Sequence, residues 1–220
     1  NCWPKKLLNE SNLPVSNTCF ENKINSNSTL NLRHEATGQI VLMMGQATIA
    51  HGHSDDLTLR LLSCHLGVGM SSLLFRNLRE QHGVAYEVGV HYPAREWEAP
   101  FLLHASTSED KALITLQLLK EIWWGLSNEL ISEEELSLAR AKFRGLIAHG
   151  SQTTSQRAER RAQLRSFGLQ DDYDKKSVYQ IASITSKEIQ IVASRHLKKP
   201  LLSLCGPNST LKNLSKNWNN

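Results

Sequence analysis

Two short apolar runs, Gln39-Ile40-Val41-Leu42-Met43-Met44-Gly45-Gln46 and Leu201-Leu202-Ser203-Leu204-Cys205, bracket a long stretch in which helical spacing dominates. Runs this short and this apolar fit buried strands better than helices. The order of strands and helices along the chain suggests a mostly antiparallel sheet with helices layered on one face. Two more strands are expected, Val84 to Tyr92 (stopped by Pro93) and Pro100 to Ser106, antiparallel to each other.

The helices announce themselves by caps and stripes. Ser54 fits an N-cap, with Asp55 and Asp56 in the first turn and Leu57, Leu61 and Cys64 as the apolar stripe. A second helix, Ser71 to about His82, carries Leu74, Phe75 and Leu78 and is followed by Gly83. Ser108-Glu109-Asp110 precedes a long helix with Leu113, Leu116, Leu119, Ile122 and Trp123. Ser132 to Glu135 fits a capping box opening another helix, and further helices are expected at about 153–167, 173–183 and 186–197. The fold class expected is α+β: a mostly antiparallel sheet with helices layered on one face. Residues 1–35 read as a linker or loosely docked arm, 36–207 as the domain and 208–220 as a polar, frayed tail.

Composition narrows the function classes. A formal charge of +4 is too small to argue for nucleic acid, and no apolar run approaches a bilayer span. The first residues lack an initiator Met and an apolar signal core, so a piece of a longer chain is expected. Cys2, Cys19, Cys64 and Cys205 are scattered without a CxxC, which suits a reducing compartment while leaving a Cys2–Cys19 bridge open; the cytoplasm is the default compartment, with the periplasm or an organelle as alternatives. Asn-x-Ser/Thr triplets at Asn9, Asn27, Asn208 and Asn213 read as chance in so Asn-rich a chain.

Three segments together resemble the pitrilysin/insulinase metallopeptidases, which include the mitochondrial processing peptidases. Leu66-Gly67-Val68-Gly69-Met70-Ser71-Ser72-Leu73-Leu74-Phe75-Arg76-Asn77-Leu78-Arg79-Glu80-Gln81-His82-Gly83-Val84-Ala85-Tyr86 is similar to the family's "LGGGMSSRLFxxLRExxGLAY" segment. Ile131 to Leu136, with Ala139 to Lys142, resembles "ISEEELxxAK", and Ile181 to Ile189 with Leu201–Pro207 resembles the closing "IxxVTxEDV…VVVGP" pattern. The resemblance covers roughly residues 36–207 and implies a processing-peptidase/LuxS-like metallohydrolase domain, one of several repeated α+β domains enclosing a chamber.

In that family the first domain binds zinc through His-x-x-Glu-His and a later glutamate, leaving one position for a water that the nearby carboxylate deprotonates. None of the nine histidines here begins such a motif. His34-Glu35 lacks the second histidine, and His51-x-His53, near Asp55 and Asp56, reads as a loop pair before a helix. No metal site is expected on this chain; the resemblance puts zinc in a partner domain or subunit bearing HxxEH.

The resemblance also implies that the zinc-free half reaches substrate with an arginine and a tyrosine, at positions matching Arg79 and Tyr86. A phenol can donate to a developing oxyanion, and a guanidinium can present several N–H groups to a peptide carbonyl. The function implied is substrate binding and oxyanion stabilisation in peptide-bond hydrolysis, with no cleavage by this chain alone. The alternative is a non-catalytic scaffold of the same fold.

Other features admit plainer readings. Gly67-Val68-Gly69 lacks the Lys-Ser/Thr of a phosphate loop and reads as a tight connection between helices. Arg157, Arg160, Arg161 and Arg165 form one helical stripe, read as a solvated face partly neutralised by Glu159, with an acidic partner as the alternative. One of Trp123 and Trp124 must leave the buried face, which makes it a candidate docking surface.

Overall fold

A computed structural model describes residues 29–218. Five strands, β1 (Leu30–His34), β2 (Gln39–Ala47), β3 (Glu87–His91), β4 (Pro100–Ser108) and β5 (Leu201–Gly206), form one sheet in the order β1-β5-β2-β4-β3. Only β1 and β5 pair in parallel; the other three pairings are antiparallel. The seven α-helices of the described residues are α1 (Asp56–Gly67), α2 (Ala112–Asn128), α3 (Glu133–His149), α4 (Thr154–Ser166), α5 (Tyr173–Gln180), α6 (Ser186–His196) and α7 (Asn208–Trp218). A π-helix, Phe75–Gln81, stands between α1 and β3.

The two bracketing apolar runs meet as neighbours: Leu42 of β2 pairs with Leu204 of β5 on one side and Ala105 of β4 on the other. Period-2 alternation then sorts the side chains. Ile40, Leu42, Met44, Phe101, Leu103, Ala105, Leu202 and Leu204 are fully buried under the helices. Val41, Met43, Leu102, His104 and Cys205 alternate with them on the opposite face, where Met43 is exposed. Helix α2 supplies the largest buried side chain, Trp123, whose indole N–H donates to the Leu197 carbonyl at 3.1 Å. Its neighbour Trp124 is exposed.

The structure corrects several readings. Leu30–His34 lies in the stretch expected to be a linker, yet it is an edge strand, because main-chain pairing with β5 holds a sequence whose side chains are mostly exposed. Asn208–Trp218, expected to fray, is a helix that buries Leu211 and Leu214. The expected helix from Ser71 forms mainly as the π-helix, and Ser54 is not the N-cap of α1: Asp55 holds that position without a side-chain cap bond. Ser132 caps α3 by accepting from Glu135 N–H, but the Glu135 carboxylate turns to Arg76 instead of completing the capping box. The rest of the expected arm, residues 1–28 with Cys2, Cys19, Asn9 and Asn27, lies outside the described residues.

Candidate functional site

The segment that carries Arg79 and Tyr86 is held on both sides. Helix α1 ends against β3 at Gly67, where an added Cβ would come within 2.8 Å of Val90 N and 2.9 Å of its Cγ2. Only a glycine permits that approach, so the Gly67-Val68-Gly69 turn is set by packing rather than by a ligand. Ser72 N–H donates to Gly69 O across the connection, and the chain enters the π-helix. Leu78, fully buried, fixes the inner side of that helix, which contributes on the order of 2 kcal/mol. Arg79, the next residue, is exposed, with its guanidinium carbon 5.1 Å from the Phe75 ring centroid.

The π-helix closes through His82 N–H donating to Asn77 O, a spacing of five. Gly83 then adopts φ +60°, in the left-handed region, and reverses the chain. Three bonds hold the turn to β4 and the residue before α2. Lys111 Nζ donates to Gly83 O at 3.0 Å, the Thr107 hydroxyl to Val84 O, and Tyr86 N–H to Ser106 O at 2.8 Å. Tyr86, immediately before β3, is 60% exposed. Arg79 and Tyr86 therefore stand free on either side of a fastened turn. Their side chains make no hydrogen bond to each other or to any described residue.

A second constellation was not legible in the sequence. Asp56, read as a first-turn acid favoured by the helix dipole, is 0% exposed. Its Oδ2 accepts from His51 Nδ1 at 2.7 Å, Arg60 Nε at 2.9 Å and Gly52 N–H at 3.2 Å, and its Oδ1 from the Tyr92 hydroxyl at 2.8 Å. Burial alone would raise the Asp56 carboxyl, but the His51 hydrogen bond and the Arg60 charge outweigh it and hold it at about 2. Burial and the Asp56 charge push the Tyr173 phenol up to about 12. His51, read as a loop residue, is thus a buried member of a cluster joining α1, β3 and α5. The signal that could have found it is the His51…Asp56…Arg60 spacing.

The arginine stripe on α4 is also explained locally. Arg160 forms a bidentate pair with Asp174, at 2.8 and 2.6 Å, and Arg165 pairs with Asp171 at 2.7 Å. The acids come from the 171–174 segment, not from Glu159 as the sequence suggested. Cys205 is half-buried on β5, not in the core, while Cys64 is buried; both thiols are free. His34 contacts Gly206 O through Nδ1, and His53 Nδ1 accepts from Asp55 N–H. Among the described residues no group of three or more His, Cys, Asp or Glu could hold a metal ion, and no helix is long and apolar enough to cross a membrane.

Comparison with known proteins supplies the family. Residues 5–143 match the profile of the peptidase M16 inactive domain. An uncharacterized zinc protease of Mycobacterium tuberculosis is 24% identical over 205 residues, 91% of this chain and 46% of the relative. One of Rickettsia bellii is 31% identical over 141 residues, 64% of this chain and 31% of the relative. The chain thus spans about half the length, or less, of these curated relatives. The crystal structure of a peptidase M16 inactive domain from Pseudomonas fluorescens shares the fold, with a TM-score of 0.74 at 21% identity over 82% of this chain and 43% of that one. These matches agree with the resemblance drawn from the Leu66–Tyr86 segment, and this chain belongs to the peptidase M16 family as an inactive-type domain.

Proposed function

We propose that this chain is the zinc-free half of a processing-type zinc metallopeptidase, working with a zinc-bearing HxxEH domain or subunit of the same family on a peptide substrate. The observation that carries this reading is the pair Arg79 and Tyr86: both exposed, both without a hydrogen-bond partner among the described residues, and both mounted on a turn fastened by Lys111, Thr107 and Ser106. Side chains whose polar groups are uncommitted on a rigid support are what a substrate-contacting pair requires.

In this reading zinc held by the HxxEH residues of the partner domain would provide the polarised water for hydrolysis. Tyr86 donates its hydroxyl proton in a hydrogen bond to the carbonyl oxygen as negative charge develops there. The Arg79 guanidinium donates to a neighbouring peptide carbonyl and holds the substrate in register. Gly83 sets the distance between the two by fixing the reversal. The nucleophile and the general base both belong to the partner, so this chain alone has no hydrolytic step to perform.

The test is reconstitution. The chain is assayed for zinc and for cleavage of a mixed peptide library, alone and together with a zinc-bearing M16 domain. Cleavage only by the assembly, and its loss in Arg79→Ala, support the reading. An assembly whose rate is unchanged by Arg79→Ala and Tyr86→Phe is a scaffold pairing instead, and chelator-sensitive cleavage by the chain alone overturns both.

A further inference from the structure

A cavity of about 260 Å³ opens between α1, the π-helix, α2, the first turn of α3 and α6. Its walls are aliphatic: Leu62, Leu73, Ile122, Leu126, Ile131 and Ile189. Its polar groups are almost all acceptors, namely the carboxylates of Glu121, Glu129 and Glu135 and the amide oxygen of Asn77; no lysine or arginine lines it. Glu135 is already paired with Arg76, but the exposed carboxylates of Glu121 and Glu129 make no hydrogen bond or ion pair with any described residue. Asn77 Oδ1 is buried and has no hydrogen-bond partner among the described residues. His65, also in the wall, is kept below its ordinary pKa by burial and adds no cation at neutral pH.

The floor of the cavity explains an otherwise costly residue. Gly125 lies inside α2, where glycine costs about 1 kcal/mol relative to alanine. Packing does not require it: the nearest group to an added Cβ is the Glu129 carboxyl, at 3.6 Å, an ordinary van der Waals contact. A side chain at 125 would instead project into the cavity beside Glu129. The glycine keeps that space open.

We propose that this cavity binds a primary aliphatic ammonium group, its hydrocarbon stem against the leucine and isoleucine walls and its N–H donors toward Glu121, Glu129 and Asn77. The volume is ample for one lysine side chain. The carboxylates repel anions, and a neutral apolar ligand leaves the buried Asn77 Oδ1 without a donor. The function is separate from that of Arg79 and Tyr86 and does not depend on it. The same chemistry is carried by a free alkylamine and by a lysine side chain on a peptide.

Calorimetric titration of the 220-residue chain with hexylammonium, with acetyl-Gly-Lys-Gly-amide and with hexanol tests this. Saturable one-site binding of either cation, at least about tenfold tighter than hexanol, is expected, and which of the two binds identifies the source. Glu121→Gln and Glu129→Gln should each weaken binding roughly two- to fivefold. Gly125→Leu should abolish it while keeping or raising the thermal midpoint. If Gly125→Leu fails to fold, the two glutamine variants decide. No saturation by either cation, equal binding of hexanol, or binding unchanged in the glutamine variants overturns the proposal.

Discussion

Arg76 donates from Nη2 to Glu135 Oε1 at 2.6 Å and ties the π-helix to α3. Three residues beyond Arg76 on the same helix stands Arg79. The helix is thus braced from outside by Glu135 and from inside by Leu78. The pair is partly exposed, with side-chain exposures of 38% and 31%, so solvent screens it. Glu135→Ala should therefore cost only about 1 kcal/mol, read as a small drop in the denaturant midpoint at unchanged slope.

The Asp56 cluster is a different case, because nothing screens it. Asp56→Ala leaves His51 and Arg60 facing a buried gap and should destabilise by about 3 kcal/mol or more, measured by urea unfolding. Asp56 should also mark the acid limit of the fold. Its folded pKa, about 2, lies below the ordinary value of 3.8, so its contribution is present above about pH 4 and is lost as pH falls toward 2. Acid titration of the Asp56→Ala variant should show a flatter stability curve across that window than the parent chain.

Two glycines should respond to alanine for different reasons. At Gly67 a methyl meets Val90 backbone and side chain below 3 Å, so α1 must move off β3, at roughly 1–3 kcal/mol. At Gly83 nothing lies within 4 Å, and the cost is conformational, about 1–2 kcal/mol for a non-glycine residue at φ +60°. Thermal unfolding checks both. In the assembled enzyme Gly83→Ala should also lower the rate, because it moves Tyr86 relative to Arg79.

What the sequence could reveal follows from which forces leave a pattern. Strands β2 and β5 were legible because their burial on the sheet shows as apolar residues. Helices α4 and α6 were expected at about 153–167 and 186–197, and in the structure Thr153 and Thr185 each accept a backbone N–H at the N-terminus of its helix. Strand β1 was not legible: Leu-Asn-Leu-Arg-His is held by main-chain bonds to β5, which side-chain periodicity does not record. Helical spacing cannot distinguish a π-helix from an α-helix over seven residues, so the widened turn under Arg79 was invisible too. Asp56 and Glu135 misled for one reason: an acid near a helix N-terminus reads as a cap or dipole partner, whereas tertiary contacts with His51, Arg60 and Arg76 claimed both. Arg79 and Tyr86 were singled out by the family resemblance alone, since no local physics marks an exposed arginine and tyrosine seven residues apart.

The most direct measurement is the turnover number of the Tyr86→Phe chain assembled with its zinc-bearing partner. The variant loses one exposed hydroxyl that makes no hydrogen bond to any described residue, so its thermal midpoint should match the parent's. A fall in kcat of about a hundredfold or more, with little change in KM, is the expected result for a donor aimed at a developing oxyanion. An unchanged kcat in a fully assembled, zinc-loaded enzyme would contradict the account and leave this domain a scaffold.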